Sequence, residues 1–261
     1  MTSPGTFDVA TFQSRRASLG FRLGESLVTA AETGSTNDDA FAAARAGATH
    51  GAVFVADAQW SGRGRRGSAW TSPAGENLTF SVLLRPALPA ERISAIALVA
   101  GMAARAAAAA RVSDAVAIKW PNDVLVGEKK LAGILVESRV SGAEVEAVVV
   151  GVGMNVSMTT LPEEIAAVAT SLALLGDPAP NREALLADIL AGFERRFEAF
   201  ARGGLASLLS ELRQHDALLG KMLAVGDVRG EGAGIGVDGA LLIRDARGIV
   251  HEVTSGTVER G

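Results

Sequence analysis

Apolar positions along the chain fall into short β-branched runs separated by polar turns, with longer helical patterns between them. Residues 26–32 alternate and predict a strand. Gly34-Ser35-Thr36-Asn37-Asp38 then supplies cap chemistry for a helix over about 38–46. Runs at 52–58 and 77–85 predict strands, and the alanine-rich stretch 90–111, entered after Pro86 and Pro89, predicts a long helix. A strand over 115–120 is stopped by Pro121. Residues 124–126 and 131–139, joined by Gly127-Glu128-Lys129-Lys130, read as a hairpin-like unit, and 144–150 as a further strand. Helices are predicted over 162–175 and 181–202, the second with Leu185, Leu186, Ile189, Leu190, Phe193 and Phe197 on one broad face. A third, over 205–215, follows the break at Gly203-Gly204.

From about residue 220 the pattern changes to short β-prone runs at 222–225, 234–237, 240–244 and 249–253, with hairpin signals at Asp238-Gly239 and Arg247-Gly248. A compact barrel of about five strands is the expected form. The whole reads as an α+β chain: a mixed sheet with helices mainly on one face, then a small β appendage. Residues 1–22, with Phe7, Val9 and Phe12 at loosely helical spacing, form an amino-terminal arm; 23–215 form the main domain and 216–261 the appendage. The arm is too short for a three-helix DNA-binding domain.

Composition narrows the function. A net charge of -4 argues against nucleic acid as the main partner, so local basic clusters serve a small anion. With no cysteine there is no disulfide framework, thiolate nucleophile or thiolate metal site. His50, His215 and His251 match no metal spacing, and no G-x-S-x-G surrounds a serine. The amino-terminal region carries Asp8, Arg15 and Arg16 rather than the apolar core of a signal peptide. Residues 95–110 are broken by Arg105 and read as a core helix, not a membrane span. The expected setting is cytoplasmic.

The candidate chemistry centres on Gly62-Arg63-Gly64-Arg65-Arg66-Gly67, followed by Ser68, Ala69 and Trp70. Three glycines let the backbone approach a ligand, and three guanidiniums suit phosphate or carboxylate; a solvated basic turn is the plain alternative. The glycines formally satisfy G-x-G-x-x-G, but no helix starts at the third one: Trp70-Thr71-Ser72-Pro73-Ala74-Gly75 continues as turn chemistry. No Lys-Ser or Lys-Thr follows, so it is not a P-loop either. Lys119, Asn122 and Asp123 are presented together around Pro121, and Gly133 interrupts a strand where a ligand or backbone comes close. Gly151 and Gly153 allow close approach beside Asn155, whose amide can read an adenine edge. Capping alone also accounts for Ser35, Thr36 and Asn37, and an ordinary turn for Asn155.

Together, Gly34-Ser35-Thr36-Asn37, the Gln59 to Trp70 segment, Lys119-Trp120-Pro121-Asn122-Asp123, the 130–137 strand with Lys130 and Gly133, and Gly151-x-Gly153-x-Asn155 resemble the biotin–protein ligases. The resemblance covers about residues 25–261 and is closest to the monofunctional type without a winged helix-turn-helix. It implies a class II synthetase-like catalytic domain, the biotin–lipoate ligase fold, followed by an SH3-like β-barrel. It further implies that ATP and Mg²⁺ activate biotin as biotinyl-5′-AMP, and that a biotin carboxyl carrier domain of a carboxylase accepts the biotinyl group on a lysine. No DNA or membrane partner is expected, and the chain is a monomer or a homodimer.

By that resemblance, Ser35, Thr36, Asn37, Gln59, Arg63, Gly64, Arg65, Lys119 and Gly133 contact biotin. Gly62, Arg63, Arg65, Arg66, Trp70, Lys119, Asn122, Lys130 and Asn155 contact ATP or the adenylate. Lys119 and Arg65 are the catalytic pair, and Asp123 is an outer ligand for Mg²⁺. Trp60 departs from the family pattern, and its role stays open. Two competing readings are a lipoate or octanoate ligase and a non-catalytic biotin-responsive regulator.

Overall fold

The computed structural model describes residues 6–70, 72–141, 144–177 and 180–260. The first five positions of the arm, Thr71 in the turn after the loop, and the final Gly261 lie outside the described residues.

The arm is a helix, α1 (Val9–Leu19), capped by Asp8, whose carboxylate accepts from the Ala10 and Thr11 amides. It buries Phe12 and packs on α5 (Arg182–Gly203). Between them, β1 (Leu27–Thr33), α2 (Thr36–Arg45), β2 (Val53–Gln59), β3 (Asn77–Leu84), α3 (Ile96–Ala109), β4 (Val116–Lys119), β5 (Asp123–Val126), β6 (Lys129–Ser141) and β7 (Glu144–Asn155) follow in chain order. The seven strands form one sheet in the order β1-β2-β3-β7-β6-β5-β4. β1 and β2 are parallel, and the remaining neighbours are antiparallel.

Side-chain alternation decides which face does what. Leu78, Phe80 and Val82 of β3, Ile118 of β4, Val124 of β5, Ile134 of β6, and Val150 and Val152 of β7 enter the main core beneath α3 and α5. The opposite face carries Thr79 and Ser81 of β3, Lys119, Asp123, Gly133, and Gly151 and Gly153 of β7. At the far end of that face α2 covers a smaller core of Ala40, Phe41, Phe54, Leu83 and Val149. The uncovered part is left for a ligand.

Three predicted helices differ. The 90–111 stretch opens as a short 3-10 turn, Ala90–Arg92, and the α-helix starts only at Ile96. The stretch Ala90–Ala109 is long and apolar enough to cross a membrane, but 72% of its most apolar window is buried inside the protein. The 162–175 stretch is helical only over α4 (Glu163–Ala166) and a 3-10 turn at Ala173–Leu175. Between them the chain is drawn out to pair with β6: Lys130 N donates to Val168 O and Thr170 N to Lys130 O, and these sheet-like bonds override a local helical preference. The 205–215 stretch is a 3-10 turn, Leu205–Leu208, running into α6 (Leu209–Gln214).

After α6 the chain runs beside β4, with Ile118 N donating to His215 O and Ala217 N to Ile118 O. A five-stranded antiparallel sheet follows, β8 (Met222–Val225), β9 (Val228–Ile235), β10 (Leu241–Arg244), β11 (Val250–Val253) and β12 (Glu259–Arg260), in the order β11-β10-β9-β8-β12. The 234–237 run is the end of β9 and the turn beyond it, not a strand of its own. Trp120 locks the two sheets together, donating Nε1–H to Gly239 O at 2.9 Å.

Candidate active site

One row of cross-strand partners defines the floor. Thr79 pairs with Gly153, Gly153 with Gly133, Gly133 with Asp123, and Asp123 with Lys119. Directly opposite residues stand about 5 Å apart, so five strands deliver a polar group, two bare backbone positions, an aspartate and a lysine in one line. The adjoining row sets Ser81 against Gly151 and Gly151 against Leu135.

A cavity of about 240 Å³ lies over these rows. Its walls are the start of α2, the glycine/arginine loop, the β4–β5 turn and, from the small sheet, Gly256, Thr257 and Val258. Among the described residues, five cations line it, Arg63, Arg65, Arg66, Lys119 and Lys130, against the single carboxylate of Asp123. In a chain of net charge -4 this concentration selects an anionic ligand.

The α2 end is lined by uncharged side chains and tightly wired. Thr36 donates its backbone N–H to Gln59 Oε1 at 2.8 Å and its hydroxyl to the same oxygen at 3.1 Å. The Ser81 hydroxyl lies 2.7 Å from Thr36 Oγ1 and 2.6 Å from Asn37 Oδ1, while Asn37 Nδ2 donates to Glu137 Oε2 at 2.7 Å. Ser35, Thr36 and Asn37 are all buried. Ser35 makes no side-chain capping bond to the helix it starts, so capping does not account for it. A Cβ on Gly151 would overlap the Asn37 carboxamide, so glycine is required there.

The loop end is cationic. Arg63 forms a fork with Asp38, Nη1 at 2.8 Å and Nη2 at 2.7 Å, which holds the Asp38 carboxyl below its ordinary range and raises the guanidinium. Arg65 points inward, Nη1 lying 3.5 Å from Asn122 Oδ1. Burial, and then the neighbouring Arg66, lower its pKa. Asn122 is fixed in turn by Nδ2 donating to Ile134 O at 2.8 Å. Arg66 has φ 57°, a left-handed conformation unusual outside glycine.

Trp70 lies flat over Gly153, where any Cβ would overlap its indole. Lys130 Nζ sits 5.8 Å from the indole centroid and 2.6 Å from Asp123 Oδ1, an ion pair without hydrogen-bond alignment. Asp123 is therefore committed to a lysine. No cluster of three potential metal ligands exists among the described residues, so the donor set does not make a protein-built Mg²⁺ site.

Most of the sequence-derived site residues meet in this cavity: Ser35, Thr36, Asn37, Gln59, Arg63, Gly64, Arg65, Arg66, Trp70, Lys119, Asn122, Asp123, Lys130 and Gly133. Gly62 lies behind the loop, lining a separate outer recess. Asn155 does not reach the wall: it is buried, and its amide donates to Thr170 O at 2.9 Å, holding the extended stretch after α4. The sequence reading missed Thr79 and Ser81, polar residues alternating within the apolar strand β3, a period-two signal that marks the face turned towards α2 and the cavity, where both side chains are buried. It also missed Gly256, Thr257 and Val258, which carry no local signal.

Residues 33–155 match the Biotin/lipoate A/B protein ligase family. The chain is 37% identical over 200 residues to the biotin–[acetyl-CoA-carboxylase] ligase of Mycobacterium tuberculosis, covering 75% of this chain and 72% of that one. It is 30% identical over 245 residues to the bifunctional ligase/repressor BirA of Bacillus spizizenii, covering 92% and 75%. Its fold superposes on the biotin protein ligase of Aquifex aeolicus in complex with biotin and ATP with a TM-score of 0.79, at 28% identity, over 91% of this chain and 100% of that one. The chain belongs to the biotin/lipoate protein ligase family and, within it, to the biotin protein ligases. It is a ligase with the mixed-sheet catalytic fold of that group.

Proposed function

We propose that the chain joins biotin to ATP as biotinyl-5′-AMP and then transfers the biotinyl group to a lysine of a biotin carboxyl carrier domain. The observation that carries this reading is the two-ended cavity: an uncharged hydrogen-bonding end at Thr36, Asn37 and Gln59, wired from beneath by Ser81, and a cationic end at Arg65, Lys119 and Lys130. A uncharged ureido ring suits the first and a carboxylate beside a triphosphate the second. The relatives named above are biotin ligases, and one solved relative holds biotin and ATP.

In the first half-reaction a biotin carboxylate oxygen attacks the α-phosphorus. An O–P bond forms, the bond to the bridging oxygen breaks, and pyrophosphate leaves with the electron pair. Two anions meet, so fixed cations and alignment supply most of the acceleration. Lys119, at the strand end, and Arg65, held inward by burial and Asn122, would neutralise charge on the carboxylate and α-phosphate. Arg63 joins them once it leaves Asp38. Mg²⁺ would enter on the phosphates as part of the substrate.

In the second half-reaction the neutral amine of the acceptor lysine attacks the adenylate carbonyl. A C–N bond forms, the C–O bond to AMP breaks, AMP leaves, and the amine proton passes to solvent. The loop over the cavity keeps water from the mixed anhydride meanwhile. A cytoplasmic setting fits, because ATP and the carboxylase acceptor are found there.

The test is pyrophosphate release from ATP and Mg²⁺ with biotin, lipoate or octanoate, with and without an apo carrier domain. Release that needs biotin and turns over only with the carrier is expected. Release with lipoate or octanoate alone reassigns the acid, and no release with any acid leaves a binding protein.

A further inference from the structure

Trp60 follows Gln59 at the end of β2 and points the other way. Gln59 turns onto Thr36, whereas Trp60 is 72% exposed. Its indole lies across Gly34, with Nε1, Cε2 and Cζ2 3.6 to 3.8 Å from where a Cβ would stand. The backbone beneath is pinned: Trp60 N donates to Thr33 O at 3.2 Å and Ser61 N to Gly34 O at 3.1 Å. The ring thus lies over the residue that leads into Ser35 and Thr36, yet it is no part of the cavity lining.

Beside it, a second recess of about 540 Å³ follows the outer side of the glycine/arginine loop. Trp60, Ser61 and Pro73 line this recess, and Gln59, Arg63 and Trp70 belong to both recess and cavity. An isolated exposed apolar side chain is ordinary and signifies nothing. Here the exposed side chain is a tryptophan on a hydrogen-bonded backbone, bordering a recess that shares a wall with the reaction chamber.

We infer that Trp60 and this recess form a docking contact for the biotin-accepting domain. The inference rests on the ligase reading. Transfer brings a folded domain to the cavity, and a lysine side chain has only four methylenes with which to reach the activated carbonyl. The acceptor backbone must therefore lie on the rim, where Trp60 is a large exposed aromatic group, and tryptophan is among the residues most enriched where interface energy concentrates. A second copy of this chain would use the same ring differently, and the test separates the two.

Trp60→Ala and Trp60→Phe are compared with the parent in both half-reactions. Biotin-dependent pyrophosphate release without acceptor is expected to be unchanged. In transfer to an apo acceptor domain, Trp60→Ala is expected to lower kcat/KM for the acceptor about tenfold or more through KM, with Trp60→Phe keeping most of it. Equal acceptor kcat/KM in Trp60→Ala overturns the inference. So does an equal fall in both half-reactions, or a parent dimer that Trp60→Ala dissociates. A parent that releases no pyrophosphate at all refutes the ligase reading itself, a result distinct from any of these.

Discussion

Arg66 of the glycine/arginine loop donates Nη1–H to Thr257 Oγ1, in the segment that joins β11 to β12, at 2.6 Å, across 191 residues of sequence. The contact closes the cavity on the side that the large sheet leaves open, since Gly256, Thr257 and Val258 complete its wall. Arg66 sits at φ 57°, a left-handed conformation that costs an L-residue roughly 1 kcal/mol, and the Thr257 bond helps hold it.

Thr257→Val removes this acceptor while keeping the shape. Both partners are exposed, so the contact is worth only about 1 kcal/mol, and KM for ATP in pyrophosphate release should rise roughly fivefold. The thermal midpoint should hardly move, because the bond ties a loop rather than a core. An unchanged KM would make the contact incidental.

Lys119→Met should abolish most adenylate formation. The lysine stands at the end of β4 in the row with Asp123 and Gly133, where the proposed first half-reaction brings the two anions together. Removing one fixed electrostatic stabiliser typically lowers kcat by about 10² to 10³. Far-ultraviolet circular dichroism should stay parental. Pyrophosphate release at the parental rate would remove Lys119 from the chemistry.

How much of this site could be read from sequence depended on whether a residue's role was local. Lys119 and Asn122 stand beside a proline that ends a strand, and Gly133 breaks an apolar run, so neighbours in the chain announce them. The α5 face was legible for the same reason, through Leu185, Ile189 and Phe193. The bond from the Asn155 amide to Thr170 O was not legible, because that partner is set by the path of the chain after α4. Thr257 was invisible because only the packing of two sheets brings it to Arg66. The helix expected over 162–175 failed because pairing with Lys130 outweighed propensity.

Gly153 and Gly133 face each other across β7 and β6, yet they should tolerate alanine differently. At Gly153 the new Cβ overlaps the Trp70 indole, a rigid ring, whereas at Gly133 the nearest atoms are Lys130 Cε and Nζ at 3.0 Å, the far end of a flexible chain. Gly153→Ala should lower stability by about 1–3 kcal/mol and shift tryptophan emission as Trp70 is displaced. Gly133→Ala should do less on both readouts. Equal effects would mean that Trp70 does not rest on the β7 backbone.

His50 should make stability fall in mild acid. Its Nδ1 accepts the Arg85 amide at 3.1 Å, which only an unprotonated nitrogen can do, and burial holds its pKa below the usual 6.5, Glu194 opposing and Arg22 adding to the shift. The folded pKa is depressed, so the unfolded chain binds more protons as pH falls below about 6.5, and stability declines from there until the folded group also titrates. His50→Gln should flatten urea midpoints across that window. A parental slope in the variant would assign the acid sensitivity elsewhere.

Arg182 and Asp57 bind α5 to the strand that carries Gln59. Arg182 Nη1 lies 2.8 Å from Asp57 Oδ1, with the two side chains 7% and 13% exposed, and Asp57 O accepts the Gly75 amide at 3.0 Å in the turn beyond the loop. Each charge was taken out of water, so the pair adds little net stability over apolar residues of the same shape, but breaking it leaves a buried carboxylate uncompensated. Arg182→Met should therefore cost about 3–5 kcal/mol, a fall in Tm of roughly 6–20 °C for a chain of this size. Arg182→Met with Asp57→Leu should recover most of that loss, because both desolvation penalties then vanish together. If the double variant is as unstable as the single one, the pair holds β2 by geometry rather than by charge, and Gln59 should then lose its grip on Thr36 in both.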